Sequence, residues 1–273
     1  MSVAIFVGLL LASLLVILWL AQERIVFQPP RGFSPHDGAE AQRIEYLASD
    51  GQPLVGFLVE PSEPRSGLLI CFHGNADLAA WQCAWAAEVA RRSRHTVFLA
   101  EYRGYFGLQG KPTYRTTQLD ADAAYRAALE ATESSIDSVS LFGHSLGSAV
   151  AAELATRVPA RALLLQAPFS SARAMGRLVI GRPLLLLWSR LSRVHFNTTA
   201  VVESLTVPVS AVHGERDRIV PVRMGESVFT SARVKGGLLI LPDAGHNNIP
   251  DVGGEEYWSW VTSALAGKGY SNS

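Results

Sequence analysis

The sequence has little cysteine and no surplus of either charge, and each shortage removes a class of protein. Two cysteines, Cys71 and Cys83, among 273 residues cannot make a disulfide framework. Cys71 falls in an apolar run and reads as a small buried hydrophobe, and both thiols are expected to be free. No histidines and cysteines gather at metal-ligand spacing, so no metal site is expected. Basic and acidic side chains balance at 24 each, which leaves no basic surplus for nucleic acid as a main partner. Charged residues are also sparse, at 18% against 48% apolar, so the chain can bury a sizeable core and disorder is excluded. Internal repeats and low-complexity tracts are absent as well. One soluble domain is therefore expected after the N-terminal segment.

That segment is the sharpest break in composition. Residues 3–21 carry no charge, and as a helix they would reach about 28 Å, near the hydrocarbon thickness of a bilayer. A cleaved signal peptide fits poorly, because no basic region precedes the run and no small-x-small site closes it. Trp19, Glu23 and Arg24 resemble an interfacial stop. The expectation is a single-pass membrane anchor over 1–24, a linker over 25–41, a catalytic domain over 42–267 and a tail over 268–273. Arg24 and Arg31 follow the span and only the α-amine precedes it, which favours a cytoplasmic domain.

After the linker, strand-like and helix-like patterns alternate. Residues 43–47 and 54–60, split by the turn Asp50-Gly51, predict an antiparallel pair. Short apolar runs at 67–72, 96–100, 138–142, 162–166, 207–212 and 237–241 predict buried strands. Helical spacing appears at 78–92, 117–131, 146–157, 222–229 and 255–265. Strands separated by helices imply parallel pairing, right-handed crossovers and an open sheet covered on both faces. Residues 169–200 break the rhythm, with Arg173, Arg177, Arg182, Arg190 and Arg193 around the apolar run 184–188. They read either as a surface helix with snorkelling arginines or as a small cap over a site at the sheet edge.

Gly143-His144-Ser145-Leu146-Gly147 lies between a predicted strand and a predicted helix. A sharp turn there would hold the serine hydroxyl clear of the sheet, with glycines where a Cβ would collide. The Leu146 N–H, at the helix start, would face an oxyanion. A serine hydroxyl near neutral pH requires a base and a group to hold that base. Asp217 follows one predicted strand, in His213-Gly214-Glu215-Arg216-Asp217, and His246 follows the next, in Ala244-Gly245-His246. The order Ser145, Asp217, His246 and their places past strand ends suit a nucleophile, acid and base gathered at one edge. Asp243 and Asp251 are rival acids on the loop of His246 or just after it. His144 belongs to the elbow and is expected to point away from substrate, and His213 to shape the turn before Asp217. The loop His73-Gly74-Asn75-Ala76-Asp77 would supply the second oxyanion donor, from the N–H of Asn75 or of Ala76. Gly74 allows the close turn and His73 structures the loop.

With these pieces in place the chain resembles the α/β-hydrolase superfamily and, more narrowly, its Bem46-like branch of membrane-anchored hydrolases. The matching stretches are the apolar N-terminus, Cys71-Phe72-His73-Gly74-Asn75-Ala76, Tyr102-Arg103-Gly104-Tyr105, Gly110-Lys111-Pro112, the elbow with Gly143 and Gly147, Gln166-Ala167-Pro168-Phe169, His213-Gly214 with Asp217, and Gly245-His246. One departure is that Phe106 stands between Tyr105 and Gly107, where that branch continues Tyr-Gly directly. The resemblance implies an α/β fold with a mostly parallel eight-stranded sheet flanked by helices, a small cap and an N-terminal transmembrane helix. It also implies acyl transfer to water without metal or organic cofactor, on a small ester or thioester. The branch includes carboxylesterase-like and protein-depalmitoylating members. A peptidase or amidase of the same fold and a catalytically idle binding protein are the alternative readings.

Overall fold

A computed structural model describes residues 3–34, 37–180, 192–268 and 270. Eight strands, β1 (Gln42–Leu47), β2 (Pro53–Val59), β3 (Gly67–Phe72), β4 (His95–Ala100), β5 (Val139–His144), β6 (Ala162–Gln166), β7 (Val209–Gly214) and β8 (Lys235–Leu241), form one sheet. Their spatial order is β1-β2-β4-β3-β5-β6-β7-β8. β2 pairs antiparallel with both β1 and β4, and every pairing from β4 onward is parallel. The burial of each strand follows its place. β3, β4, β6 and β7 are buried at every position, as strands covered on both faces must be, whereas the edge strand β8 alternates.

The helices are α1 (Val3–Val26), α2 (Cys83–Ser93), α3 (Tyr114–Thr132), α4 (Leu146–Leu154), α5 (Ala172–Ile180), α6 (Thr198–Ser204), α7 (Val222–Ser231) and α8 (Ile249–Leu265). α2 and α8 pack together on one face of the sheet, and α3, α4, α6 and α7 line the other. Trp260 and Tyr257 of α8 are fully buried beneath the first of these layers.

Differences from the sequence expectation have local causes. α3 starts three residues early, at Tyr114, because Thr113 and Thr116 make a reciprocal capping box. The predicted helix at 78–92 divides into a 3-10 turn (Ala79–Gln82) and α2, and α2 ends where Arg94 turns left-handed. α4 stops at Leu154 rather than 157, and α6 is an added helix begun by an Asn197 cap. α8 starts at Ile249 and kinks at Gly254, whose φ is +48°. Phe106, the departure from the Tyr-Gly pattern, also adopts a left-handed φ of +48°. Its buried ring packs on Phe33 and Phe57, at 5.2 and 5.5 Å between centroids, and this packing holds the strained backbone.

The segment 25–41 is not a free spacer. α1 continues to Val26, Phe27 is buried in the core, and Phe33 packs against Phe106. The stretch expected as an anchor, 1–24, lies partly outside the described residues. No helix among the described residues is long and apolar enough to cross a membrane. Of the 169–200 segment, α5 is described, with Ala172, Ala174 and Met175 packed on the core and Arg173, Arg177 and Leu178 exposed. Arg182, the run 184–188 and Arg190 lie outside the described residues, as does His36 and most of the 268–273 tail.

Candidate active site

Ser145 sits at the junction of β5 and α4 with φ +52° and ψ −113°, a backbone conformation that non-glycine residues rarely adopt. The two flanking glycines permit it by close approach. A Cβ on Gly143 would lie 2.2 Å from the Gly147 carbonyl oxygen, and one on Gly147 would lie 2.0 Å from that of Phe72. The Ser145 N–H donates to Gln166 O at 2.9 Å, tying the elbow to the neighbouring strand end. Ser145 is the N-cap residue of α4, yet its side chain makes no capping bond. Its hydroxyl is engaged elsewhere: Oγ lies 2.9 Å from His246 Nε2.

On the other side of that imidazole, Nδ1 lies 2.6 Å from Asp217 Oδ2. The remaining oxygen, Oδ1, accepts the N–H groups of Ile219 and Val220 at 2.8 Å each. Burial by itself would raise the Asp217 carboxyl. Hydrogen bonds from His213 and His246, with the Val220 N–H, outweigh it and hold the group well below the usual carboxylate range. An ionised carboxylate only accepts, so the imidazole proton resides on Nδ1 and Nε2 is free to accept from the serine. The loops carrying Asp217 and His246 are stitched together by Glu215 N–H to Leu241 O and Arg216 N–H to Ala244 O, at 2.9 and 3.0 Å. A Cβ on Gly214 would fall 2.3 Å from Ala244 O, so this approach requires glycine.

The rival residues are placed elsewhere. Asp243 is exposed and pairs with Arg216 at 2.5 Å. His213 is buried beneath Asp217, with Nε2 2.9 Å from Val220 O and 3.2 Å from Asp217 Oδ2, which matches its expected part in shaping that turn. His144 packs behind His246, with ring centroids 5.1 Å apart and its Nε2 3.3 Å from the His246 carbonyl. Burial, then the neighbouring His246, lowers the His144 imidazole to about 3, so it is neutral near physiological pH. His195 meets the Tyr114 ring edge-to-face and His95 is buried at the start of β4. Both cysteines are buried and free, and burial raises their thiols, Cys83 to about 12. Neither is a thiolate nucleophile at neutral pH. Among the described residues no group of three histidine, cysteine or carboxylate side chains is placed to hold a metal.

The loop from His73 to Asp77 borders the elbow: a Cβ on Gly74 would meet the His144 ring at 3.1 Å and Ser145 Cβ at 3.5 Å. Ala76 is left-handed, with φ +53°. The N–H groups of Asn75 and Ala76 donate to no acceptor among the described residues, and Leu146, the first residue of α4, has no preceding turn to receive its N–H. His73 anchors the loop from below, with Nδ1 2.8 Å from Gly74 O and Nε2 2.7 Å from Glu101 Oε1. Glu101 also accepts the N–H groups of Tyr102 and Ala79, at 3.1 and 3.0 Å. Burial alone would lower the His73 imidazole, but the Glu101 carboxylate beside it raises it above its ordinary value. The two side chains form a buried hydrogen-bonded pair. Sequence reading missed Glu101; the available signal is one acid directly after the apolar run 97–100, where an unpaired charge would be costly. Next to it, buried Arg103 bridges Asp50 and Asp120 at 2.6 and 2.7 Å, fixing the Tyr102–Tyr105 stretch of the matching motif.

Residues 69–204 match the profile of the alpha/beta hydrolase family. Together with the strand order, this match shows the α/β-hydrolase fold and supports a place in that superfamily. Among particular relatives, the chain is 28% identical over 253 residues to the uncharacterized protein Rv2307c of Mycobacterium tuberculosis, covering 91% of this chain and 88% of that one. It is 25% identical over 200 residues to human alpha/beta hydrolase domain-containing protein 17C, covering 71% of this chain and 57% of that protein. Among solved structures, the Pyrococcus furiosus esterase Pf2001 superposes with a TM-score of 0.66 at 20% identity, covering 90% of this chain and 98% of that one. The esterase domain of a Rhodothermus marinus protein gives 0.61 at 20% identity, with 82% and 98% covered. At these identities the solved structures show the fold.

Proposed function

We propose that the chain is a serine hydrolase that cleaves carboxylic esters or thioesters through an acyl-enzyme. The observation that carries this reading is the continuous chain from Ser145 Oγ to His246 Nε2 at 2.9 Å and from His246 Nδ1 to Asp217 Oδ2 at 2.6 Å. Ser145 attacks the acyl carbonyl while His246 takes its proton, and Asp217 holds the imidazole and stabilises the cation that forms. The oxyanion is received by the N–H of Leu146 and by that of Asn75 or Ala76. His246 returns its proton to the departing alcohol or thiol, and the same base then activates water against the acyl-serine. The esterases that share the fold agree with this assignment.

The reading extends to where the chemistry takes place. α1 is 24 residues long, and Ile5, Phe6, Leu9, Leu10, Ile17 and Leu20 are exposed along it. Exposing these side chains to water is unfavourable; since no described helix meets the length and apolarity needed to cross a membrane, the proposal of an N-terminal membrane anchor rests on the uncharged run 3–21 of the sequence, with Arg24 and Arg31 favouring a cytoplasmic catalytic domain. The Bem46-like branch has this organisation, and the chain is proposed as a member of it. The 169–200 segment follows β6 at the edge that holds Ser145 and is assigned as a small cap over the acyl site.

A fluorophosphonate probe tests the nucleophile, because it labels only an activated serine. Labelling of the full chain that disappears in Ser145→Ala supports the assignment. Wild type that takes up no probe removes it and leaves the fold serving as a binding protein.

A further inference from the structure

The segment that leaves α1 makes a contact that the proposed chemistry does not use. Phe27 is buried, and one residue later the Gln28 N–H donates to Asn75 Oδ1 at 2.8 Å. The same oxygen accepts the Tyr105 hydroxyl at 2.9 Å. Tyr105 is fully buried, and its ring packs on His73 and Tyr102 at 5.4 and 5.6 Å, so the hydroxyl is held in place. The end of α1 is fixed in turn. Gln22 Oε1 accepts the Arg193 N–H at 2.7 Å, and buried Glu23 has Lys111 Nζ and Arg193 Nη2 each 3.3 Å from its Oε2, close enough for charge pairing without hydrogen-bond alignment. The Arg193 guanidinium also lies 5.0 Å from the centroid of the Trp19 ring.

An oxyanion loop must keep its N–H groups unbonded until a substrate arrives, so its position has to come from other contacts. We infer that the Asn75 side chain is the positioning group of this loop, held from two sides by Tyr105 Oη and the Gln28 N–H. The segment that leaves α1 is thereby a working part of the active site and not only a tether. This inference rests on the hydrolase reading. Its consequence is that the seating of α1 reaches the oxyanion donors through Asn75.

The test uses the full chain in detergent micelles, with Tyr105→Phe, Gln28→Pro, Asn75→Leu and the Tyr105→Phe/Asn75→Leu double variant. Two readouts are taken: kcat and KM on a p-nitrophenyl ester, and backbone order parameters of amides 74–77 from NMR relaxation. Tyr105→Phe and Gln28→Pro are expected to lower kcat about 10-fold and Asn75→Leu about 100-fold, with KM within about twofold, since a misplaced donor weakens the transition state and not substrate binding. Because the hydroxyl acts through the Asn75 oxygen, the double variant should match Asn75→Leu alone. Order parameters at 74–77 should fall in each variant. Tyr105→Phe deletes one oxygen from an otherwise unchanged ring, so it remains informative if Gln28→Pro fails to fold. Unchanged order parameters at 74–77 in Tyr105→Phe and Asn75→Leu overturn the inference, as does a double variant whose loss is the product of the two single losses. Absence of Ser145-dependent turnover in wild type would sink the hydrolase reading separately, and the order parameters would still decide whether Asn75 holds the loop.

Discussion

Asp217 meets His246 through a single carboxylate oxygen, at 2.6 Å, while its other oxygen is occupied by two backbone N–H groups. The carboxylate therefore cannot rotate without breaking bonds to its own loop, and the imidazole tautomer is set by a rigid partner. Asp217→Asn should lower kcat by about 10³–10⁴, because the amide can present a donor to Nδ1 and invert the tautomer. Asp243→Asn, altering an exposed side chain paired with Arg216, should change kcat by less than about twofold. Steady-state kinetics on one ester checks both, and a larger loss in the Asp243 variant would reassign the acid.

Gly147 tests the elbow's geometry apart from its chemistry. With Phe72 O only 2.0 Å from where a Cβ would stand, Gly147→Ala forces the β3 end and α4 apart. The expected destabilisation is about 3 kcal/mol or more, at the upper end of overpacking effects. A thermal midpoint within a degree of wild type would show that the junction can relax.

The buried pair His73–Glu101 predicts a stability effect at a distance from the nucleophile. Glu101→Gln removes the carboxylate that faces His73 Nε2 and orphans part of the network that reaches Ala79 and Tyr102. Removing one partner of such a pair costs about 3–5 kcal/mol. Denaturant unfolding measures it, and a loss under about 1 kcal/mol would mean that His73 is neutral in the folded protein.

The acid side of the pH–stability curve follows from two depressed groups. The folded chain holds His144 at about 3, against about 6.5 unfolded, so the unfolded chain binds a proton that the folded one refuses. Stability therefore falls as pH drops from about 6.5 toward 3. Asp217, held below its unfolded value of about 3.9, contributes stability above that pH and loses it further into acid. His73 runs the opposite way. Its raised value contributes stability below about 6.5 that is lost as pH rises through the folded value. Melting curves of wild type and His144→Phe should differ in slope between about pH 4 and 6.5, flatter in the variant. Parallel curves would refute the His144 assignment.

The parts of the fold legible in the sequence were those governed by local pattern. The runs 67–72 and 162–166 coincide with β3 and β6, both buried at every position. The sequence also pointed to Ser145, Asp217 and His246, which the fold brings within hydrogen-bonding distance. Legibility failed where a contact is long-range or backbone-borne. Nothing in residues 25–41 signals that the Gln28 N–H meets Asn75, 47 positions away, since a backbone donor has no residue code. Glu101 was missed because its partner, His73, lies on a different strand end, and the early start of α3 because Thr113 and Thr116 cap it reciprocally.

The central claim is that Ser145 attacks an acyl carbonyl, and hydrolysis of p-nitrophenyl esters from two to sixteen carbons by the full chain beside Ser145→Ala tests it most directly. The account predicts turnover in wild type and a loss of several powers of ten in the variant, about 10⁴–10⁶. Equal rates in the two proteins on every ester would contradict it.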